Sequence, residues 1–403
     1  MKKYLFITIL LLLIALSIPA FAQEAQDITE QCTVEAASSK NSLPRLTDRD
    51  WGTDYTTFKQ RWPFVSLTAQ QEGAIHGLYV CFGDKLHPWQ VQALHGEEWV
   101  TVFESEGKYA HEYAPLPAGE TTVRVTYINN KQIALCLNEI FAYGEGEIPA
   151  NVQQWQPAPE KADLLVLSAH PDDEVLFFGG TIPYYAGEKG MDVVVAYMTC
   201  GTMQRRSELL NGLWSMGVRT YPEIGNFWDK YTKKLNTCYD AWGKSATNKH
   251  IVSLLRKYQP EVVVTHDVKG EYGHAAHLVC ADAMKNCIAY AANASKYTDS
   301  AKTYGAWEVK KLYLHLGTEN IIEMDWDQPL TAFQGKTGFE MAEEGYSWHV
   351  SQHDAGQKNP ETGKYEPFVV EPRESDYSCY RFSLVHTTVG PDVEKNDFFE
   401  NIP

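Results

Sequence analysis

The chain has 403 residues, of which 44% are hydrophobic and 22% charged, and its formal net charge is -17 at neutral pH. A chain of this length can build two hydrophobic cores, so we expect two domains. The strong negative charge argues against nucleic acids and other polyanions as partners.

Residues 1–22 have the pattern of a secretory signal peptide. Two lysines precede an apolar run over residues 4–18, and Ala20-Phe21-Ala22 places small residues at the spacing of a cleavage site. The run is shorter than the ~20 residues that a membrane-spanning helix needs, and no basic stop-transfer cluster follows it. We therefore expect cleavage after Ala22 and a secreted or periplasmic bacterial protein without a membrane anchor.

The cysteines do not form a metal-binding pattern. All eight lie after the signal peptide, and no CxxC pair occurs among them, so a zinc–thiolate site is not expected. Export permits disulfide bonds, but a chain of this size can build ordinary cores without them. Disulfides and buried free thiols therefore remain equal alternatives.

Residues 32–148 predict an antiparallel β-sandwich. Short stretches rich in aromatic and β-branched residues alternate there with turn residues, without a long helical pattern. The predicted strands include Ile75–Phe82, Trp99–Phe103, Thr121–Ile128 and Ala134–Tyr143. Residues 149–160 contain three prolines and little periodicity, which indicates a linker to the remaining part, 161–403.

This first part resembles the discoidin-like (F5/8 type C) β-sandwiches. Three stretches carry the resemblance: Leu46–Trp51, Gly77–Phe82 and Asn138–Gly144. Members of that family often bind glycans through aromatic residues on loops at one end. The aromatic residues that could serve here are Trp51, Trp62 and Trp89. Packing within the domain explains each of them equally well.

From residue 161 onward, apolar strands alternate with helical stretches. This alternation predicts a Rossmann-like α/β domain, with a parallel sheet covered by helices on both faces. The predicted strands are Asp163–Ser168, Val193–Met198, Glu261–Thr265 and Lys311–His315. The predicted helices are Arg205–Met216, Lys249–Tyr258, Ala275–Ala292 and Thr331–Glu344. The rest of the C-terminal part is expected to be loop-rich.

The first chemical motif follows a buried strand, at the position where open α/β sheets bind ligands. It reads His170-Pro171-Asp172-Asp173-Glu174. The turn at Pro171 allows His170 and Asp173 to converge on one cation and leaves Asp172 free to act as a base. The alternative is an acidic helix N-cap, because aspartate favours caps and helix N-termini attract negative charge.

The second motif follows another buried strand. That strand ends at His266-Asp267, which are either supporting partners or polar strand ends, and a glycine-containing loop leads to His274 and His277. A spacing of three places the last two histidines on one helical face. Both strands deliver side chains to the same edge of the sheet. Two histidines and one aspartate could therefore hold a metal with open positions, as catalytic sites do.

Both motifs resemble those of the PIG-L/LmbE-like N-acetylglucosaminyl deacetylases. The AHPDDE hallmark of that family corresponds to Ala169–Glu174, and its second hallmark, a GH pair followed by a histidine, corresponds to Gly273, His274 and His277. The resemblance covers roughly 60% of the chain, which is consistent with one catalytic domain of ordinary size.

The resemblance implies one zinc ion per chain, with His170, Asp173 and His277 as its ligands. It also implies that Asp172 is the general base and that His274 steadies the oxyanion. Zinc held in this way lowers the pKa of bound water to about 7. Two histidines and one carboxylate also suit iron or manganese, so the residues alone leave the metal open.

Three further residues complete the comparison with the family. Many members carry an aspartate where this chain has Ala276, which leaves the tuning of His274 open. Arg205 and Asp229 fall where the family carries substrate-contacting or supporting residues. An exposed helix charge pair with Glu208 explains Arg205 equally well.

The resemblance implies hydrolysis of the acetamide of N-acetylated amino sugars, with N-acetylglucosamine units of a glycan as the expected substrate. Two alternatives stay open: a zinc amidase or esterase acting on another substrate, and a non-catalytic glycan-binding protein. The presence of Asp172 beside the ligand set argues against the second of these. The sequence does not define the sugar, the linkage or the oligomeric state.

Overall fold

The computed structural model describes residues 23–129, 131–358 and 363–403. The predicted signal peptide, 1–22, lies outside the described residues. Within those ranges, no helix is long and apolar enough to cross a membrane. All eight cysteines carry free thiols, and six of them are buried. Of the two alternatives for the cysteines, the structure therefore agrees with buried free thiols.

The first part of the chain forms two antiparallel sheets. Their strands are β1 (Cys32–Ala36), β2 (Tyr55–Thr56), β3 (Phe64–Ala69), β4 (Ile75–Phe82), β5 (Trp89–His95), β6 (Glu98–Ser105), β7 (His111–Glu120), β8 (Thr122–Tyr127) and β9 (Cys136–Tyr143). One sheet has the order β1-β3-β8-β5-β6 and the other β2-β9-β4-β7.

One shared core holds the two sheets together. Along β5, the side chains of Trp89, Val91 and Ala93 are fully buried, whereas the residues between them are partly exposed. This alternation directs one face of the sheet inward, where it packs with Leu78 and Val80 of β4 from the other sheet. The predicted antiparallel β-sandwich is confirmed.

The second part is built on a seven-stranded sheet with the order β12-β11-β10-β13-β14-β18-β15. Its strands are β10 (Leu164–Ser168), β11 (Val193–Tyr197), β12 (Glu223–Ile224), β13 (Val262–Thr265), β14 (Lys311–His315), β15 (Ile321–Glu323) and β18 (Arg381–Thr387). Between β15 and β18 in the chain, β16 (Gly356–Lys358) and β17 (Tyr365–Pro367) form a separate hairpin.

The prediction of a wholly parallel sheet is wrong at one edge. The strands from β12 to β14 run parallel to one another, but β18 is antiparallel to both β14 and β15, so the sheet is mixed. In β18, the buried Phe382 and Leu384 flank Ser383, but the next residue, Val385, is apolar and exposed, so the strand lacks a clear alternating pattern. The strand lies in the C-terminal part that the sequence prediction treats as loop-rich.

Seven α-helices accompany this sheet in the described residues. They are α1 (Asp173–Leu176), α2 (Met203–Ser215), α3 (Leu235–Trp242), α4 (Lys244–Tyr258), α5 (Ala275–Ala292), α6 (Thr298–Tyr304) and α7 (Gly338–Ser347). Helices cover both faces of the sheet, as predicted. Leu164 and Val166 of β10 pack into the core that contains α2, whereas Leu165 and Leu167 pack into the core that contains α4 and α5.

The predicted helix Thr331–Glu344 is interrupted. The chain forms a 3₁₀ turn at Thr331–Phe333 and then passes through Gln334 and Gly335 with φ of 57° and 91°. These left-handed conformations end a right-handed helix. The α-helix α7 begins afresh after Thr337, whose side chain caps it.

Helix α2 docks the second part of the chain against the sandwich. Arg206, only 9% exposed, donates from its guanidinium to the carbonyl oxygens of Phe82 and Asp84. The Ser207 hydroxyl donates to Asn138 Oδ1 at 3.2 Å. The sandwich is therefore held by a buried charged group and not by the linker alone.

We expect Arg206→Ala to lower the free energy of unfolding by about 2–3 kcal/mol, because hydrogen bonds from a charged group each contribute roughly 1.5–3 kcal/mol and the carbonyl acceptors lose their donor. Urea denaturation followed by tryptophan fluorescence measures this change. As a control, Arg45→Ala removes an exposed arginine and should cost less than about 0.5 kcal/mol. Equal losses in the two variants would contradict the docking role.

Candidate metal centre

The residues of the two chemical motifs meet at the carboxyl ends of β10 and β13. They line a cavity of about 570 Å³. The site residues named from the sequence that line it are His170, Asp172, Asp173, Arg205, Asp229 and His274. His277 lies beneath the cavity, fully buried in the first turns of α5. The fold thus brings all seven of these residues together.

Three of them form a compact set of donor atoms. His170 Nδ1 lies 2.9 Å from Asp173 Oδ2, which lies 3.2 Å from His277 Nε2, and the two histidine nitrogens are 3.4 Å apart. A tetrahedral zinc ion with bonds of about 2.0–2.1 Å holds its ligand atoms about 3.3–3.4 Å apart. The set therefore fits a tetrahedral divalent metal with one position left open.

The ring nitrogens of these two histidines that face away from the set are oriented by carboxylates. His277 Nδ1 lies 2.7 Å from Glu271 Oε2, and His170 Nε2 lies 3.3 Å from Asp229 Oδ1. A histidine that donates one N–H to a carboxylate presents the lone pair of its other nitrogen to a metal. These contacts favour the tautomers that suit metal binding, more strongly for His277 than for His170.

Other combinations of nearby donors are less suitable. His266 also lies within reach of Asp173 and His277, but its Nε2 accepts the backbone N–H of Ala169 at 2.9 Å, so this lone pair is in use. His274 also offers a ring nitrogen within 4.8 Å of donor atoms of His170 and His277 and is a further candidate donor, but the family resemblance implies a different role for it, beside the reacting oxygen.

The charges at the centre favour a cation. Burial alone would lower the pKa of His277, but Asp173 and Glu271 outweigh it and raise that pKa to about 10. In the same way, Asp173 overcomes the burial of His170 and raises its pKa to about 9. Although burial opposes it, the two histidines hold the pKa of Asp173 well below its usual range. A divalent metal supplies the positive charge that this carboxylate requires.

Asp172 is held as a separate carboxylate beside the donor set. It occupies the N-cap position of α1 with φ of 111°, a rare conformation for a non-glycine residue, and its side chain makes no capping hydrogen bond. Instead, Asp172 Oδ1 accepts from Arg205 Nη2 at 3.1 Å. The N-cap alternative is therefore wrong for this side chain. Burial raises the pKa of Asp172 to about 7, against the attraction of Arg205.

Arg205 belongs to the site and not to an exposed charge pair. Its guanidinium contacts Asp172 and lies 3.8 Å from Asp229 Oδ2. Glu208 is 1% exposed and accepts the backbone N–H and the hydroxyl of Ser351 at 2.8 and 2.6 Å. The two residues of the supposed surface pair therefore have separate buried roles.

His274 lines the cavity with a free ring atom. Its Nδ1 has no hydrogen-bond partner among the described residues, and its ring meets that of His170 edge-on at 4.7 Å. Burial, together with the neighbouring His170 and His277, lowers the pKa of His274 to about 3. With Ala276 in place of the aspartate, no carboxylate in the described part of the chain forms an ion pair with His274.

Two supporting groups are absent from the sequence-based site. Glu271 is fully buried at its side chain and contacts His266, His277 and His315. Glu174 Oε1 lies 3.2 Å from the Nε2 atom of the buried His349. No local sequence pattern predicts either pair, because His315 and His349 come from distant segments. Only Glu174 is marked by a motif, as the last residue of AHPDDE, and the motif does not identify its partner.

Comparison with known proteins agrees with this geometry. Residues 165–288 match the family model of PIG-L, described as GlcNAc-PI de-N-acetylase. The resemblance inferred from the AHPDDE and GH motifs is thereby confirmed over these residues. They include every residue of the donor set as well as Asp172 and His274.

Two curated relatives are also named as deacetylases. A protein of Frankia casuarinae named 1D-myo-inositol 2-acetamido-2-deoxy-alpha-D-glucopyranoside deacetylase 1 is 26% identical over 41% of this chain and 64% of its own length. A protein of Rhodococcus opacus named as the corresponding deacetylase is 32% identical over 37% of this chain and 60% of its own length. The chain thus spans about 60% of the length of these relatives.

Solved structures similar to the chain include carbohydrate-binding and F5/8 type C domains. CpGH89CBM32-6 of Clostridium perfringens is 18% identical and covers 30% of this chain and 100% of its own, with a TM-score of 0.26. An F5/8 type C domain from Bacteroides fragilis is 16% identical, with 32% and 99% coverage and a TM-score of 0.26. The assignment of a β-sandwich rests on the two sheets described above.

We expect Glu271→Gln to weaken metal binding 10- to 100-fold, because a neutral amide orients His277 less well than a carboxylate does. Competition with a chelator of known affinity measures this change without reference to activity. The matched control is Glu120→Gln, a buried carboxylate 3.0 Å from His95 Nε2 in the sandwich, which should leave the affinity unaltered. Unchanged affinity in Glu271→Gln would exclude the orienting role.

Proposed function

We propose that the protein is a secreted or periplasmic zinc-dependent N-deacetylase that hydrolyses the acetamide of N-acetylated amino sugars and releases acetate. N-acetylglucosamine units of a glycan are the proposed substrate class. The observation that carries the proposal is the position of Asp172, a buried carboxylate held by Arg205 directly beside the donor set of His170, Asp173 and His277. The family match and the deacetylases among the relatives support the same chemistry.

Zinc is the proposed metal because two histidine nitrogens and one carboxylate oxygen lie at tetrahedral spacing and leave a position open. When bound, such an ion polarises a carbonyl group and lowers the pKa of a water molecule to about 7. The surrounding residues then need only to move protons and to hold the substrate.

Asp172 is the proposed proton carrier. Its carboxylate takes a proton from the attacking water, and Arg205 keeps its Oδ1 in place during this step. Collapse of the tetrahedral intermediate requires a proton on the leaving nitrogen, which the protonated Asp172 returns. A carboxyl group whose pKa lies near 7 is suited to both steps at neutral pH.

His274 is the proposed partner of the substrate oxygen. Its Nδ1 is unpartnered in the described residues and its ring lines the cavity, so a ring N–H can donate to the carbonyl oxygen as negative charge develops there. Asp229, at the mouth of the cavity, orients His170 with one oxygen and lies near Arg205 with the other. Asp172 and His274 together favour catalysis over glycan binding alone.

We expect Asp172→Asn to reduce acetate release from N-acetylglucosamine oligomers by 10²- to 10⁴-fold while zinc remains bound, because only proton transfer is removed. Acetate is measured enzymatically and zinc by elemental analysis of the same samples. Asp240→Asn, an exposed aspartate on α3, is the control and should retain wild-type rates. No release by the zinc-loaded wild-type protein would reject this substrate class.

We expect the protein exported by a bacterial host to begin at Gln23, since the apolar run and Ala20-Phe21-Ala22 have the form of a signal peptide. Intact-mass measurement of the periplasmic or secreted fraction determines the first residue. A full-length protein retained in the cytoplasm would contradict both the cleavage and the proposed location.

A further inference from the structure

A second cavity lies where the sandwich meets the α/β part of the chain. Its volume is about 1230 Å³, more than twice the 570 Å³ of the cavity at the metal centre. The sandwich contributes Lys85, Lys108 and Tyr109 to its lining, and the α/β part contributes Cys200–Met203 and Gly225–Asp229. We call this cavity the groove.

The groove adjoins the site already described. Asp229 lines both cavities, and the two aromatic residues beside it face different ones. Trp228 lines the groove, whereas Tyr231 lines the cavity at the metal centre. The segments 200–203 and 225–229 follow β11 and β12, so the groove runs along the same edge of the sheet as the metal centre.

The groove carries a large aromatic surface open to solvent. The side chain of Trp228 is 67% exposed, and Tyr109 and Tyr221 contact each other on the groove lining with ring centroids 5.1 Å apart. An exposed tryptophan beside a cleft marks a binding surface, because its ring offers apolar area and its indole N–H offers a donor. Such a surface suits the apolar faces of sugar rings.

Hydrogen-bond donors complete the lining. The buried Arg206 keeps its Nε without a partner in the described residues, and its guanidinium forms no ion pair there. Lys85 is exposed and likewise forms no ion pair among the described residues. The Arg206 Nε is buried from solvent, so the exposed ammonium group of Lys85 is the donor that a ligand rich in oxygen acceptors can reach.

The walls of the groove are fixed relative to each other. Arg206 donates to carbonyls of the sandwich, and the hydroxyl of Tyr221 accepts the backbone N–H of Ala110 at 3.2 Å. Gln153 Nε2, in the segment that links the two parts, donates to Asn211 Oδ1 of α2 at 2.7 Å. A preformed groove binds a ligand at a lower cost in conformational entropy.

We propose that the groove binds the sugar units that continue from the reacting N-acetylated unit, so that the substrate is an oligosaccharide several units long and not a single sugar. The identity of the reacting unit rests on the proposed function. The groove itself rests on the Asp229 that it shares with the cavity at the metal centre, on its exposed Trp228 and on its exposed Lys85.

The tryptophans of the sandwich are less suited to binding a sugar chain. Trp89 is fully buried in the sandwich core, and Trp51 stacks on His111 at 5.2 Å between ring centroids. Of the three tryptophans that the sequence suggested for glycan binding, Trp62 alone is largely exposed, at 53%, and it does not line the groove. Trp62 therefore marks the alternative glycan-binding position, which the experiment has to distinguish from the groove.

The test measures binding apart from catalysis. Calorimetric titration of the zinc-loaded Asp172→Asn protein with N-acetylglucosamine, its trimer and its hexamer gives affinity as a function of chain length. We expect the hexamer to bind at least tenfold more tightly than the single sugar. In the same background, Trp228→Ala should remove most of this gain, weakening hexamer binding about tenfold through the loss of one stacked ring.

The control is Phe58→Ala, which truncates an aromatic residue of similar exposure, 70%, on the sandwich and should bind the hexamer as the parent does. Affinity independent of chain length would overturn the groove proposal, as would loss of hexamer binding in Trp62→Ala but not in Trp228→Ala. Acetate release by the wild-type protein from the same oligomers tests the deacetylase separately. Groove-dependent binding without release would reject the activity and retain the groove.

Discussion

The metal centre depends on the pairing of one buried carboxylate, that of Glu271, with three histidine rings. His266 follows β13, His277 lies on α5 and His315 ends β14, and all three rings lie within 3.3 Å of its oxygens. A fully buried negative charge is unfavourable unless it is paired and hydrogen-bonded. The same contacts that relieve this cost fix the first turn of α5 against two strands, and with it the direction of His277 Nε2.

The sequence was sufficient for the parts of this arrangement that are local. His170, Asp172 and Asp173 share one turn. His274 is the extended N-cap residue of α5 and His277 lies in the first turn, so the two are close in space although they do not share a helical face as predicted. Contacts between distant segments leave no local sequence pattern. The Glu271–His315 pair spans 44 residues and the Glu174–His349 pair 175, and only folding brings these partners together.

The two errors in the predicted fold, at the start of α7 and at β18, each have an identifiable cause. The interruption before α7 depends on the left-handed conformation of Gln334 and Gly335, which a helical pattern of apolar residues does not reveal. The antiparallel β18 has no clear alternation, because Leu384 and Val385 are adjacent apolar residues, and no neighbouring pattern in the tail identifies its pairing. The periodicity of apolar residues therefore predicts helix ends and the pairing of edge strands less well than it predicts the central elements.

Consecutive residues of α2 act on opposite sides of the helix. Arg205 reaches Asp172 in the α/β part, and Arg206 reaches Phe82 and Asp84 in the sandwich. The sandwich is thus not an exchangeable module that a protein engineer could cut away at residue 150. A truncated chain would bring the Arg206 guanidinium to the surface without its acceptors, and would loosen the helix that positions the proposed base. Recombining this α/β part with a different accessory domain would require redesign of α2 as well as of the linker.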